Sequence, residues 1–211
     1  MSEPRLLDWG REVCGVLPVA ERREWLCTNG IGGFASGTVA GLLTRRYHGL
    51  LVAALAPPLG RTVLVAKADE TVTYGGRTYP LATNRWADGA LDPHGYRYLE
   101  RFWLDGTTPV WTYACADALL EKRVFMDPGA NTTYVRYRVL RASAPVGLTV
   151  MLLANYRDHH ATTRGPGRAM RVEPIPRGVR VSAFDGAQPF VVLTDAAEAR
   201  AAHTWHERFH L

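Results

Sequence analysis

Short β-rich runs separated by glycine and proline constrain the fold of this chain more than any other feature. The 20 glycines and 13 prolines are spread along all 211 residues rather than gathered in one tract. Such frequent turn residues favour many short strands over a few long helices. The clearest case is the pair of β-rich runs 71–74 and 77–79, which Gly75-Gly76 joins. Two glycines supply the positive φ angles of a tight turn, so this segment predicts a β-hairpin.

The other β-rich runs extend this pattern along the chain. Strands are predicted at residues 13–17, 24–28, 37–43, 47–55, 62–68, 96–104, 110–116, 119–126, 132–141, 146–154, 179–184 and 190–194. Polar loops are predicted at 83–95 and 156–170, and only 196–202 suggests a helix. Strands this numerous and short predict an all-β fold, a large antiparallel β-sandwich. We expect residues 1–211 to form one domain of this kind, since no repeat or linker divides them.

Two strands carry more specific expectations. In 132–141, Val135, Tyr137 and Val139 alternate with Arg136 and Arg138, which is typical of a strand with one buried and one wet face. The run 146–154 is apolar nearly throughout, and it predicts a strand buried on both faces.

Composition excludes several classes of function. The net charge of +5 comes from dispersed residues with no Lys/Arg-rich run, so we expect no nucleic-acid partner. Cys14, Cys27 and Cys115 are too few and too distant for a disulfide framework or a zinc site. No segment has the length or apolarity of a signal peptide or a membrane span. We therefore expect a cytoplasmic protein with reduced thiols, no membrane partner, no metal and no cofactor.

Three short motifs match catalytic patterns only by letter. The run Gly-Ile-Gly-Gly-Phe-Ala at 30–35 fits a dinucleotide-binding loop, but no acidic residue follows until Asp69 and the next residues form helices poorly. The tail His-Glu-Arg-Phe-His at 206–210 spells H-E-x-x-H without a long helix or a third ligand. Asp158-His159-His160 is read as a solvated loop. Glycoside hydrolysis requires two carboxylates that face each other. The candidate acids, each of which is expected to be a surface charge, are Asp69, Glu70, Glu100, Asp105, Asp117 and Glu121.

Residues 24–55 are the most unusual stretch, because they combine a glycine-rich loop, an Arg-Arg-Tyr-His cluster and an apolar run. Aromatic rings cover the C–H faces of sugars, and Arg, Asn and His side chains pair with their hydroxyls. Trp86 and His94 lie in a predicted loop, where binding residues concentrate. The predicted carbohydrate-binding or domain-interface residues are Asn29, Arg45, Arg46, Tyr47, His48, Trp86, His94, Tyr96 and Arg97.

At these residues the chain resembles the N-terminal domain of bacterial and archaeal glycogen debranching enzymes. The resemblance rests first on Thr-Asn-Gly-Ile-Gly-Gly-Phe-Ala-Ser-Gly-Thr at 28–38 and on Thr-Arg-Arg-Tyr-His-Gly-Leu-Leu-Val-Ala at 44–53. It continues in order through further segments at 24–26, 57–61, 93–99, 111–113, 121–122, 131–133 and 156–158.

The resemblance implies an enzyme that hydrolyses the α-1,6 branch-point glucose of glycogen or limit dextrin. In that family a β-sandwich of the supersandwich type precedes an (α/α)6 barrel that carries the catalytic carboxylates. No part of this chain corresponds to the barrel, so we expect an N-terminal module without catalytic residues. Its expected partners are α-glucan and the C-terminal catalytic domain, and self-association would follow if the face meant for that domain were exposed. Two alternatives stay open: a purely structural module, and a self-sufficient sugar-active enzyme on a β-sandwich.

Overall fold

The computed structural model describes residues 7–163, 169–196 and 198–210. Its strands are β1 (Asp8–Trp9), β2 (Glu24–Thr28), β3 (Phe34–Thr38), β4 (Gly49–Ala56), β5 (Leu59–Tyr74), β6 (Arg77–Pro80), β7 (Thr83–Arg85), β8 (Leu91–His94), β9 (Leu99–Asp105), β10 (Thr108–Cys115), β11 (Ala118–Met126), β12 (Thr133–Arg141), β13 (Gly147–Asp158), β14 (Arg171–Ile175), β15 (Gly178–Ser182) and β16 (Phe190–Leu193). The described helices are α1 (Arg11–Cys14), α2 (Leu17–Ala20) and a 3₁₀ turn (Gly95–Tyr98). The fold is therefore mostly β, as predicted.

Two antiparallel sheets form the body of the fold. One has five strands in the order β1-β9-β10-β11-β12, and the other has the order β13-β5-β4-β3-β2 with β6 paired to β5. Their facing sides bury a shared core, to which the six-stranded sheet contributes Ala53 and Val72 and the five-stranded sheet Phe102, Tyr113 and Val124. This burial of apolar side chains between two sheets is the main source of stability in a sandwich.

Two smaller sheets complete the described structure. Strands β14, β15 and β16 form a three-stranded sheet that contributes Val181 and Phe190 to the same core. Strands β7 and β8 pair with each other inside the predicted 83–95 loop. Helix α2 packs near them, because Leu17 and Ala20 share a small buried cluster with Leu42 and the half-buried Tyr96.

Several local predictions are confirmed. The predicted hairpin is formed by β5 and β6 around Gly75 and Gly76, both of which have positive φ angles. The predicted strands 179–184 and 190–194 correspond to β15 and β16, which pair with each other in antiparallel fashion. Along β12, Val135 and Tyr137 are half-buried whereas Arg136 and Arg138 are exposed, as the alternation indicates. The alternation fails at Val139, which is exposed next to a register shift between β11 and β12.

Other predictions are wrong at element ends. Residues 13–17 do not form a strand: α1 and α2 occupy this region, and Pro18 stands in the first turn of α2, where its missing N–H costs no hydrogen bond. The predicted strand 37–43 stops at Thr38, beyond which Gly41 has a φ of +81°. In the predicted helix 196–202, the residues that the structure describes are not helical, and Ala197 lies outside them.

The apolar run 146–154 is also not buried on both faces. It belongs to β13, an edge strand of the six-stranded sheet, and most of its side chains are half-buried with Val150 exposed. Strand β13 continues to Asp158, so the predicted loop 156–170 begins later than expected and its residues 164–168 lie outside the described part. An edge strand lacks a neighbour on one side, which the periodicity of one segment does not reveal.

Candidate functional site

The glycine-rich loop between β2 and β3 is organised by Asn29. Its Oδ1 accepts hydrogen bonds from the backbone N–H groups of Ile31 and Gly33, at 3.1 and 2.9 Å. Its Nδ2 donates to the Ala130 carbonyl and to Asn131 Oδ1, at 3.0 and 3.1 Å. Asn29 is only 2% exposed, so the structure places this predicted binding residue beneath the loop, where it shapes the loop from inside.

Gly32 is one position in this loop where no residue with a side chain would fit. Its φ is +99°, and a Cβ there would lie 2.6 Å from the Pro58 carbonyl oxygen. This close approach aims the Gly32 carbonyl at Arg61, whose Nε donates to it at 2.7 Å. The turn between β4 and β5 is thereby held against the glycine loop.

An open groove lies beside the glycine-rich loop that connects β2 to β3. Its volume is about 470 Å³, within the range of small-molecule sites. It is lined by Leu26, Thr28, Gly30, Gly32, Gly33, Phe34, Arg61 and His159. Leu26 and Phe34 supply apolar surface, whereas Arg61 and His159 supply polar groups. Leu26 is 59% exposed, which is unusual for a leucine in a strand.

The Arg-Arg-Tyr-His cluster divides into buried and exposed members. His48 is only 2% exposed, and its Nδ1 accepts a 3.1 Å hydrogen bond from the Thr44 N–H. Its Nε2 lies 3.7 Å from Glu24 Oε1, which also accepts from Arg45 Nε at 2.5 Å. Burial lowers the pKa of the His48 imidazole; Glu24 opposes this effect and Arg45 adds to it. These contacts of His48 and Glu24 thus stabilise the loop that carries Arg45.

Arg46 and Tyr47 are exposed and contact the turn that follows β13. The Tyr47 hydroxyl lies 3.2 Å from His160 Nδ1, and Arg46 Nη1 donates to the His160 carbonyl at 2.9 Å. The Tyr47 ring also packs beside His159, with a centroid distance of 5.7 Å. Arg157 holds the two segments together, because its Nη2 donates to the Arg46 carbonyl at 2.6 Å. His159 therefore connects Tyr47 to the groove.

The remaining predicted residues form a second group around β7 and β8. The Trp86 Nε1 donates to the Asp92 carbonyl at 3.0 Å, and one side of its ring packs against Phe209 at a centroid distance of 4.8 Å. His94 lies 6.4 Å from the Tyr96 ring. The side chains of this group, Trp86, His94, Tyr96 and Arg97, do not line the groove.

Lys67 connects the two groups from inside the fold. Its buried ammonium donates to the Gly41 carbonyl, in the loop that leads to Arg45, at 3.0 Å. It also donates to the Thr83 carbonyl and to Asn84 Oδ1, in β7, at 3.1 and 2.6 Å. Burial lowers the pKa of Lys67, an effect that the nearby Asp69 opposes.

Comparison with protein families decides which proteins this chain is related to. The family model for the glycogen debranching enzyme N-terminal domain matches residues 23–211. The chain belongs to this family. A search of curated proteins and a search of solved structures returned no match. The match covers both the groove and the second group of aromatic residues, and it confirms the resemblance found in the sequence.

The acids of this debranching-enzyme domain are engaged with other side chains. Two of the six candidates, Glu70 and Glu121, are buried, so the expectation of surface charges is wrong for them. Glu70 accepts from Lys122 and Tyr137, each at 2.6 Å. Glu121 pairs with Arg123 at 2.8 Å. The remaining candidates also have partners: Asp69 with Asn84, Glu100 with Arg11, Asp105 with Arg123 and Asp117 with Tyr74.

Neither a metal site nor a helix that could span a membrane is found in the described part of the domain. Within residues 7–163, 169–196 and 198–210, no three His, Cys, Asp or Glu side chains gather closely enough to hold a metal ion. The H-E-x-x-H run does not lie on a helix over 206–210. Among these same residues, none of the helices has the length and apolarity that crossing a bilayer requires.

Sequence reasoning missed several residues that the structure brings to the groove, namely Leu26, Phe34, Arg61 and His159. Arg61 and His159 are distant in the sequence, but β5 and β13 pair and the His159 N–H donates to the Arg61 carbonyl at 3.1 Å. A signal was present for Leu26, because an apolar residue at the wet position of an alternating strand suggests a contact surface.

Proposed function

We propose that this domain binds α-glucan in the groove beside the glycine loop. The observation that carries the proposal is the groove itself, an open site of about 470 Å³ that both apolar and hydrogen-bonding groups line. A glucose unit has flat C–H faces and a ring of hydroxyls, so it requires both kinds of surface. Membership of the debranching-enzyme family makes glycogen or limit dextrin the fitting ligand.

Each kind of lining group has a role in this proposal. Leu26 and Phe34 support the C–H faces of the sugar, and the 40% exposed ring of Tyr47 extends this apolar surface past His159. Arg61 and His159 pair with hydroxyl groups. Arg46 and Arg157 position Tyr47 through their bonds to the neighbouring segments.

A second proposed role, which the same surface supports, is packing on the catalytic domain of a larger enzyme. Leu26 is 59% exposed and Leu59, the first residue of β5, is 70% exposed. Large apolar side chains left this open at one end of a sheet are typical of an interface. With a catalytic domain seated there, the groove would hold glucan chains next to the site of hydrolysis.

Calorimetric titration of the 211-residue chain with maltoheptaose and with branched limit dextrin tests glucan binding. We expect Tyr47→Ala to weaken binding about three- to tenfold through loss of ring contact. Tyr47→Phe keeps the ring and should bind almost as well as the parent. Phe125→Ala is the matched control, because Phe125 is an exposed aromatic residue on the five-stranded sheet, stacked on Tyr134 at 5.1 Å.

The alternative functions, a structural module and a self-sufficient enzyme, predict different results in the same experiment. If neither glucan produces heat, the domain is a structural module and the proposal fails. If the chain alone releases glucose from limit dextrin, it is a self-sufficient enzyme. Trp86→Ala separates the two groups of aromatic residues, since a loss of binding there and not in Tyr47→Ala would move the site to β7 and β8.

A further inference from the structure

The groove end of the six-stranded sheet carries more positive than negative side chains. Arg46, Arg61 and Arg157 lie in the segments that meet there, with Asp158 as their acidic neighbour, whereas Arg45 pairs with Glu24 at the opposite end of β2. Glu24 is engaged by Arg45 and faces His48, away from the groove lining. A neutral glucan does not require this excess of guanidinium groups.

Arg61 is the cation that lines the groove, and it is held in a way that leaves its donors unused. Its Nε donates to the Gly32 carbonyl at 2.7 Å, which fixes the guanidinium plane. Neither terminal nitrogen has an acceptor among the residues that the structure describes. A guanidinium anchored through Nε presents a two-donor fork, the geometry that matches a phosphate or a carboxylate.

Further polar groups without a hydrogen-bond partner among the described residues border the same space. The N–H groups of Gly30 and Gly32, both with positive φ, have no acceptor within the described residues. His159 Nδ1 is buried and also lacks a hydrogen-bond partner there, with Asp158 Oδ1 no nearer than 3.8 Å. Free backbone N–H groups in a tight glycine turn, next to an arginine, are a common form of anion site.

We propose that the Arg61 side of the groove binds a phosphoryl group carried by a sugar. This inference rests on the proposed glucan site and narrows its ligand to phosphorylated glucan or a free sugar phosphate. The sugar ring lies on Leu26 and Phe34, and the phosphoryl oxygens accept from the Arg61 fork. Tyr47 packs beside His159, which lines the groove.

Asp158 is the carboxylate that opposes this assignment. It is mostly exposed, and its Oδ1 accepts from the His160 N–H at 2.7 Å, which directs it to the turn after β13. Exposure to water screens its repulsion of a phosphoryl group, whereas Arg61 acts at contact distance. The balance of charge in the groove therefore stays positive.

Titration with four defined ligands tests the proposal: maltoheptaose, maltoheptaose bearing one 6-phosphate ester, glucose 6-phosphate and inorganic phosphate. We expect the phosphorylated heptaose to bind about tenfold more tightly than the neutral one, because its phosphoryl oxygens accept charged hydrogen bonds from the Arg61 guanidinium. This advantage should shrink as salt is raised. Binding of glucose 6-phosphate alone would identify a free sugar phosphate as the ligand.

Variants at Arg61 show whether the fork is responsible. Arg61→Ala should abolish the preference for the phosphorylated heptaose, and Arg61→Lys, which keeps charge but not the fork, should retain only part of it. Arg136→Ala removes one exposed charge from the five-stranded sheet and should leave the preference unchanged. If Arg61→Ala fails to fold, the comparison of the two heptaoses on the parent chain decides.

The two proposals fail separately. Equal binding of both heptaoses overturns the phosphoryl site and leaves the glucan site standing. Tight binding of the phosphorylated ligand that persists in Arg61→Ala overturns the assignment to this groove. If inorganic phosphate binds and the neutral heptaose does not, the glucan proposal falls while the anion site remains.

Discussion

His48 is a predicted binding residue that the structure places inside the fold. Its ring is buried under the loop that carries Arg45, with one nitrogen bonded to the Thr44 N–H and the other facing Glu24. The sequence places it next to Tyr47 but does not tell the two apart. Adjacent side chains in an irregular loop point in different directions, so one is buried while the other faces solvent.

The pKa of His48 predicts a pH dependence of stability. Burial lowers this pKa below 6.5. In mildly acidic solution, His48 is therefore protonated more readily in the unfolded chain than in the folded chain. The free energy of unfolding should therefore fall as the pH drops below 6.5, by up to about 1.4 kcal/mol per pH unit. Urea denaturation between about pH 7.5 and pH 5 measures the slope.

His48→Asn should flatten this slope, because the Asn Oδ1 can still accept from the Thr44 N–H and does not titrate. His159 also contributes to the pH dependence of stability over this range, because burial and, to a smaller extent, the charge of His160 lower its pKa. The variant is therefore compared with the parent chain, and His203→Asn at an exposed position is the control. An unchanged slope in His48→Asn would contradict the prediction.

At the scale of elements, the segment 208–210 extends the small sheet of β7 and β8. The Ala87 N–H donates to the Arg208 carbonyl at 2.8 Å, and the His210 N–H donates to the Arg85 carbonyl at 2.9 Å. Phe209 lies between these bonds and packs on Trp86. Trp86 was predicted as a binding or interface residue in a loop, and this contact covers one side of its ring.

Phe209→Ala should release this segment from β7. Removing the ring contact costs about 1 kcal/mol locally, so amide exchange at Ala87 and His210 should become about fivefold faster. Residue-resolved hydrogen exchange measures this, with the Gly89 amide, bonded to the Trp86 carbonyl within the turn, as an internal reference. Phe125→Ala should leave all three rates unchanged. Equal protection at His210 in Phe209→Ala would show that backbone bonds alone hold the segment.

At the scale of the whole molecule, a buried ion pair joins the two sheets. Glu70 comes from β5, and its partners Lys122 and Tyr137 come from β11 and β12 across the core. The Lys122 and Glu70 side chains are only 14% and 4% exposed. The cavity beside them is about 50 Å³, which has room for water but not for a sugar ring.

Lys122→Met should lower the free energy of unfolding by about 3–5 kcal/mol, because it leaves the Glu70 carboxylate buried without a cation. The double variant Glu70→Leu with Lys122→Met should lose less than the single one, since no buried charge is left unpaired. Urea denaturation measures both. Arg11→Met breaks an exposed pair with Glu100 and should cost at most about 1 kcal/mol. A single variant no worse than this control would contradict the prediction.

Local pattern was sufficient for most of the strands of this protein. The hairpin at Gly75-Gly76 and the alternation in β12 were predictable because turn geometry and the two-residue period of a strand are properties of a few adjacent residues. Family membership was also predictable from the sequence, because the motifs between residues 24 and 158 follow one another in the order that is typical of the family.

Tertiary structure alone decided burial and the composition of the groove. Asn29 and His48 are buried and Tyr47 is exposed because each depends on what the rest of the chain places above it. Arg61 and His159 reach the same groove only because β5 pairs with β13, a contact between segments nearly a hundred residues apart. The sequence determined most of the strands and the family to which the chain belongs. Long-range pairing of those strands determined which side chains meet, because that pairing depends on the packing of the whole core.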